Sequence, residues 1–232
     1  MSTRLYVDAE AQLNQQEEPG IGPQSIGLRA VANIISYVFH PLFVPVYMIL
    51  FLTVTPPFFV GVSEQNKLLM VVRFIVMYSF FPFITVLLLK GLGFIDSIFL
   101  RTQRERIIPF VATGVYYFWM WYVLRKQPVH PALVQLSFAI FLASSIGLLI
   151  NIYMKVSLHA MSMGVMLGFL CILGLTETAS YTMALSITCL VTGLVCTSRL
   201  IVSNHRPVEV YTGVFTGILA ILIAWGVNSL SS

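Results

Sequence analysis

The chain has 232 residues, of which 58% are hydrophobic and only 9% charged, with a formal net charge of +4. Soluble domains carry about 25% charged residues, so this composition, with a mean hydropathy of +0.89, excludes a soluble globular fold and leaves no room for a separate soluble catalytic domain. The basic residues form no long run, which argues against nucleic acid as a partner.

In chain order, the first 30 residues are polar. They hold Asp8, Glu10, Glu17 and Glu18 and the turn formers Pro19, Gly20, Gly22 and Pro23. They lack the basic-then-apolar pattern of a cleavable signal, and read as a flexible or surface-lying tail ahead of a single transmembrane domain over 31–232. One bilayer crossing takes about 20 apolar residues. Apolar runs predict helices over 31–55, 68–89, 107–124, 132–154, 158–175, 181–201 and 209–228. The expected fold class is an all-α polytopic bundle of six to seven transmembrane helices. The third and fifth runs are short, so six spans with one re-entrant segment also satisfy the pattern. Pro41, Pro45 and Pro82 lie inside runs, where membrane helices tolerate proline. The runs are continuous rather than alternating, which disfavours a β-barrel. Cys171, Cys189 and Cys196 sit in apolar segments without metal-ligand spacing and read as buried small hydrophobes. The chain is thus expected to be a multi-pass integral membrane protein, of the cell membrane or of the inner membrane if bacterial.

Charged groups at membrane depth must justify their desolvation, so their positions are informative. Three junctions between spans are dense in Arg, Lys, His and Ser: Arg101-Thr-Gln-Arg-Glu-Arg-Ile-Ile-Pro109, Lys155-Val-Ser-Leu-His159, and the stretch from Ser198 to Glu209. Two helices separate each junction from the next. An even number of crossings returns the chain to the same face, so all three can converge at one membrane surface. Together they offer Arg101, Arg104, Arg106, Lys155, Arg199 and Arg206 with His159 and His205, against Glu105 and Glu209. Guanidiniums with an ammonium and a serine hydroxyl match the charge and geometry of phosphate. Positive-inside anchoring also accounts for basic loops, but topology signals do not need imidazole.

His205 and Glu209 are four residues apart, so on a helix they share a face and the carboxylate can hold one imidazole nitrogen. That frees the other nitrogen to attack, as in an oriented nucleophile; mutual satisfaction of two interfacial groups is the alternative. Pro207 suits a first helical turn and Asn204 could cap it. Ser157 stands just before the fifth predicted helix, whose free N–H groups favour an anion, and His159 follows as a candidate general acid. Ser157 equally reads as a helix cap. His40 and His130 read as hydrogen-bonded histidines, His40 being a second-tier site candidate because it is intramembrane.

These residues resemble the motifs of the type 2 phosphatidic acid phosphatase superfamily, which includes lipid phosphatases, glucose-6-phosphatase and vanadium haloperoxidases and carries K-x6-R-P, P-S-G-H and S-R-x5-H-x3-D. Ser198-Arg199, His205 and Glu209 keep the third spacing, with Glu in place of Asp. Val156-Ser157-Leu158-His159 keeps the Ser and His of the second motif but not its Pro and Gly. Arg101 and Pro109 have the first motif's separation, with Ile108 where Arg is expected; Arg104 or Arg106 could substitute. The resemblance covers about 101–213. It implies that His205 attacks phosphorus to give a phosphohistidine and that His159 protonates the leaving oxygen and later activates water. It further implies that Glu209 orients His205, while Arg199, Lys155, Ser157 and one or more of Arg101, Arg104 and Arg106 bind the phosphate. No metal or organic cofactor is implied.

An active site at a bilayer surface suits a substrate whose phosphate head lies in the site and whose tail stays in lipid: phosphatidate, phosphatidylglycerophosphate, polyprenyl diphosphate or a lipid A phosphate. The expected function is a metal-independent membrane lipid phosphatase, with a non-catalytic lipid-phosphate binding or transport protein as the alternative and a structural membrane subunit as a third reading. The expected partners are the lipid bilayer and a lipid phosphate.

Overall fold

The computed structural model describes residues 5–7, 13–15, 25–100, 102–202 and 205–229. Within the tail, strand β1 (Leu5–Val7) pairs antiparallel with β2 (Leu13–Gln15). Among the described residues, everything else regular is helical, and six helices are long and apolar enough to cross a membrane: Glu64–Gly91, Gln103–Arg125, Pro131–Ile150, Leu158–Thr176, Thr182–Val202 and Pro207–Val227. The fold is an all-α membrane bundle.

The region predicted as one first helix over 31–55 is instead two short helices, α1 (Ile26–Val38) and α2 (Val44–Val54). α1 starts earlier than expected because Ser25 caps it, its hydroxyl accepting from Leu28 N–H at 3.3 Å. The break falls at His40-Pro41, since proline has no N–H and its ring collides with the preceding turn. The bend is ordered, with freed backbone groups finding other partners as membrane depth demands. Leu42 N–H donates to His40 Nδ1 at 3.3 Å, Tyr47 hydroxyl to Val38 carbonyl at 2.8 Å, and Ser79 hydroxyl to Leu42 carbonyl at 2.6 Å.

The second span is continuous: α3 (Glu64–Ile75) passes through a widened π turn (Val76–Phe80) into α4 (Phe81–Gly91). The wide turn absorbs Pro82, which lands in the first turn of α4. Helix α5 (Gln103–Arg125) begins at a capping box. Thr102 Oγ1 accepts from Glu105 N–H, and Glu105 carboxylate accepts from the N–H groups of Thr102, Asp96 and Ser97. Reciprocal amides then lock the start of α5 to the end of α6 (Pro131–Ile150): Gln103 Nε2 donates to Asn151 carbonyl at 2.8 Å, and Asn151 Nδ2 donates to Gln103 carbonyl at 2.9 Å.

Helices α7 (Leu158–Thr176), α8 (Thr182–Val202) and α9 (Pro207–Ser229) complete the bundle, with α7 the most buried of the six spans. Gly164 and Gly168 on α7 lie along the seam with Gly213 and Gly217 on α9: Gly217 faces Gly164, Gly168 faces Ile218 and Ile221, and Gly213 faces Ser157 and Ala160. A Cβ on Gly164 or Gly217 would collide with the facing backbone carbonyl of Val214 or Met161, and one on Gly213 would lie 2.6 Å from Ser157 carbonyl oxygen. Paired G-x-x-x-G stripes of this kind let two membrane helices touch backbone to backbone. The contact matters for the site because it fixes the first turn of α9 against the first turn of α7; Ser157 N–H donates to Glu209 carbonyl at 3.1 Å.

The cysteines correct their expected burial. Cys171 and Cys189 are exposed on the outside of the bundle and Cys196 is half-buried. In a bilayer the outer face is itself apolar, so hydrophobic sequence does not imply an inward side chain.

Candidate active site

The alternation of helix directions brings the three basic junctions to one end of the bundle. Arg106, Lys155, His159, Arg199 and His205 all line a single cavity of about 880 Å3. Arg101 and Asn204 lie outside the described residues.

His205 is buried, between α8 and α9, and its Nδ1 lies 2.7 Å from Glu209 Oε2. Glu209 is itself buried and also accepts from Arg206 N–H at 3.3 Å, with Arg206 Nε 3.5 Å from its other oxygen. With the carboxylate accepting at Nδ1, the ring carries its proton there and leaves Nε2 with a lone pair. Burial pushes the His205 imidazole below its ordinary value; the charges of Arg106 and Arg199 push the same way, and Glu209 opposes them. At neutral pH the ring is therefore uncharged, as a nucleophile must be.

His159 sits in the first turn of α7. Its Nε2 lies 3.1 Å from Ser36 carbonyl oxygen on α1. A carbonyl only accepts, so Nε2 carries the proton and Nδ1 is the nitrogen open to chemistry. His40 stands beside it, ring centroids 5.1 Å apart and planes at 83°, and lines the same cavity. The acceptance of Leu42 N–H at His40 Nδ1 places that ring's proton on Nε2. The broken first helix thus supplies a third imidazole that the sequence reading left in the second tier. The signal was present as a histidine directly before a proline in an apolar run. His130 keeps its modest role: its Nδ1 accepts from Ala132 N–H at 3.3 Å, capping α6.

The cationic groups divide by helix phase. Arg106 is buried; its Nε donates to Leu100 carbonyl at 3.0 Å and its Nη1 to Val156 carbonyl at 2.7 Å, so it ties the 92–100 loop to the Lys155–Ser157 turn while facing the cavity. Arg104 is exposed and does not line the cavity. Ser157 is fully buried behind the cavity wall; its hydroxyl accepts from Ala160 N–H at 3.4 Å as the cap of α7. It holds the turn that presents Lys155 and His159 and does not itself face the cavity. Arg199 reaches the site from the last turn of α8 and interacts electrostatically with His40, His159 and His205.

The cavity end therefore holds two imidazoles with defined tautomers, a third oriented by a carboxylate, and cations from three helices or their junctions. That set can accept an anion, deliver a nucleophile to it and move a proton. Compared with known proteins, the chain matches no family model, no curated protein and no solved structure.

Proposed function

We propose that the chain is a membrane lipid phosphatase that works through a phosphohistidine. The observation that carries this reading is the buried His205–Glu209 pair at 2.7 Å, whose histidine lines the same cavity as His159, Arg199, Lys155 and Arg106. A pocket built only to bind phosphate has no need of an uncharged imidazole held in one tautomer by a buried carboxylate.

In the first step His205 Nε2 attacks phosphorus. A P–N bond forms, the P–O bond to the lipid breaks, and protonated His159 gives its Nδ1 proton to the departing oxygen. In the second step His159 takes a proton from water, whose oxygen attacks phosphorus and releases His205 and inorganic phosphate. Arg199, Lys155 and Arg106 neutralise charge spread over the phosphoryl oxygens, which is where most of the acceleration in phosphoryl transfer arises. Glu209 holds His205 and steadies the imidazolium that forms during departure.

The competing reading, lipid-phosphate binding or transport without turnover, draws on the hydrogen bond of His159 Nε2 to Ser36 carbonyl, which a purely structural histidine would also make. One assay separates the two. Purified protein in the presence of EDTA is expected to release inorganic phosphate from phosphatidate, phosphatidylglycerophosphate, polyprenyl diphosphate or a lipid A phosphate. Vanadate should inhibit, and His205→Ala should abolish release without loss of folded protein. No release from all four classes would leave the binding reading in place.

A further inference from the structure

A phosphate group occupies only the mouth of an 880 Å3 cavity, and most of the remaining volume runs away from the charges. Along α5 the lining extends from Arg106 to Tyr117. At 1.5 Å rise per residue, those 11 steps (106 to 117) descend ~16 Å into the bundle. The hydrocarbon core of a bilayer is about 30 Å thick, so the chains of one leaflet span about 15 Å. The cavity is as deep as one leaflet.

Its inner walls are apolar. Phe110, Leu136, Ala143, Met161 and Val165 are buried side chains that face the same space. Two of the hydroxyls along the walls are turned back on their own helices: Thr113 donates to Pro109 carbonyl at 2.8 Å and Ser162 to His159 carbonyl at 2.9 Å. Ser36, whose buried Oγ has no hydrogen-bond partner among the described residues, lines the same cavity beside His40 and His159. The deep part, where the buried apolar side chains predominate, holds water poorly. Its rim is formed by Tyr37, Phe43, Phe83 and Leu87, which are exposed apolar groups on the bend between α1 and α2 and on α4. In a bilayer, that rim opens on lipid.

We propose that this cavity is a chain-binding subsite, taking one hydrocarbon chain of the phosphate-bearing substrate sideways from the bilayer while its phosphate rests at His205. The inference builds on the phosphatase reading and replaces the expectation that the whole tail stays in lipid. Three features point to this occupant: continuity with the cationic mouth, a depth matched to one leaflet, and a lateral rim of apolar groups. Lipid tails are no worse solvated in the bilayer than in protein, so the gain comes from packing against fixed walls. The subsite therefore selects chain length and width.

The test compares butyl phosphate with hexadecyl phosphate as substrates of the full chain in detergent micelles. Ala143→Phe puts a ring into the cavity wall, and the ratio of kcat/KM for the long over the short substrate is expected to fall by about tenfold or more, as for steric exclusion of methylenes from a fitted pocket. An unchanged ratio overturns the subsite. A second measurement uses the unaltered chain and needs no turnover. Hexadecyl phosphonate carrying a photoreactive diazirine at its far end should label Tyr117, Leu136 or Ile140, the deep lining residues. Labelling confined to outward residues such as Val115 and Phe118 overturns the subsite. Interior labelling with no phosphate release from either alkyl phosphate would remove the phosphatase reading and leave the chain subsite standing.

Discussion

Glu209 Oε2, in the first turn of α9, lies 2.7 Å from Nδ1 of His205, two residues before that helix begins, with both side chains buried. The carboxylate cannot donate, so it dictates which ring nitrogen keeps the proton and which is left with a lone pair. Glu209→Gln preserves volume but allows the amide to donate to the ring and stabilise the other tautomer. The expected loss in kcat is about 10²- to 10⁴-fold, the cost of a wrong tautomer in comparable oriented-histidine sites. His205→Ala should leave no acid-labile phosphoprotein after quenching with labelled substrate, whereas Glu209→Gln should still accumulate it slowly. Full activity in Glu209→Gln would remove the orienting role.

The acidic limb of the pH profile follows from the same residue. Burial disfavours charge on His205, so its folded-state pKa lies below the ordinary imidazole value of about 6.5. kcat/KM should rise with pH along a limb whose midpoint is below about 6.5, with a falling limb at higher pH where His159 loses the proton it donates. The sign for stability is the same: the unfolded chain takes up this proton at a higher pH than the folded one. The contribution of an uncharged His205 is therefore present above about pH 6.5 and lost as pH falls below it. An acidic limb centred above pH 7 would contradict the burial argument.

The sequence carried the face on which the site lies, because an even number of spans between basic junctions is a matter of counting. The four-residue spacing also pointed to the His205–Glu209 pairing, although His205 lies just before α9 begins at Pro207 and the contact is made by Glu209 reaching back from the helix's first turn, where it also accepts from Arg206 N–H. Three other features were harder to read. Pro41 was compatible with either a kinked span or two short helices, and only the partners found by the Val38 and Leu42 carbonyls decide for the break. Arg104 and Arg106 differ by two positions, about half a turn, and which one faces inward depends on where the Thr102–Glu105 capping box starts the helix. The exposed cysteines show the third difficulty: in a bilayer, apolar residues are favoured on the outer face as much as the inner, so hydropathy finds the helices without orienting them. The stripes Gly164/Gly168 and Gly213/Gly217 were visible as spacing, and they are what orients α7 and α9.

His40, a second-tier candidate by sequence, and His130, which had no site role, lie in different surroundings. His40 meets the His159 ring at 5.1 Å inside the cavity, while His130 caps α6 and packs edge-on against Phe58, 4.9 Å between centroids, away from the cavity lining. His40→Ala is expected to lower kcat by about tenfold to a hundredfold, toward the lower end of what a positioned proton donor contributes. His130→Ala should leave kcat within error, with a small loss of thermal stability from the missing cap. Phosphate release and melting temperature, measured on both variants in one detergent, check the pair. Equal effects on kcat would mean that proximity to His159 has no chemical consequence.

The α7–α9 contact sets the distance between the two halves of the site, so its glycines should behave as site residues without touching substrate. Gly217→Ala places a methyl group against Met161 carbonyl, and Gly213→Ala places one 2.6 Å from Ser157 carbonyl. Backbone cannot step aside as a flexible side chain can, so α9 must move outward. Overpacking of this kind costs about 1–3 kcal/mol, read as a lowered melting temperature in detergent. The two positions should differ in activity. Gly213 lies one turn from Glu209 and faces the cap of His159's helix, so its variant separates His205 from His159 and lowers kcat more than its stability loss accounts for. Gly217 sits a turn deeper, and its variant should lose stability with a smaller fall in kcat. Gly174 has open space around its Cα, so Gly174→Ala serves as the control and should change neither quantity for the worse. If Gly213→Ala and Gly217→Ala melt like the unaltered chain, the backbone contact is not what holds the two first turns together.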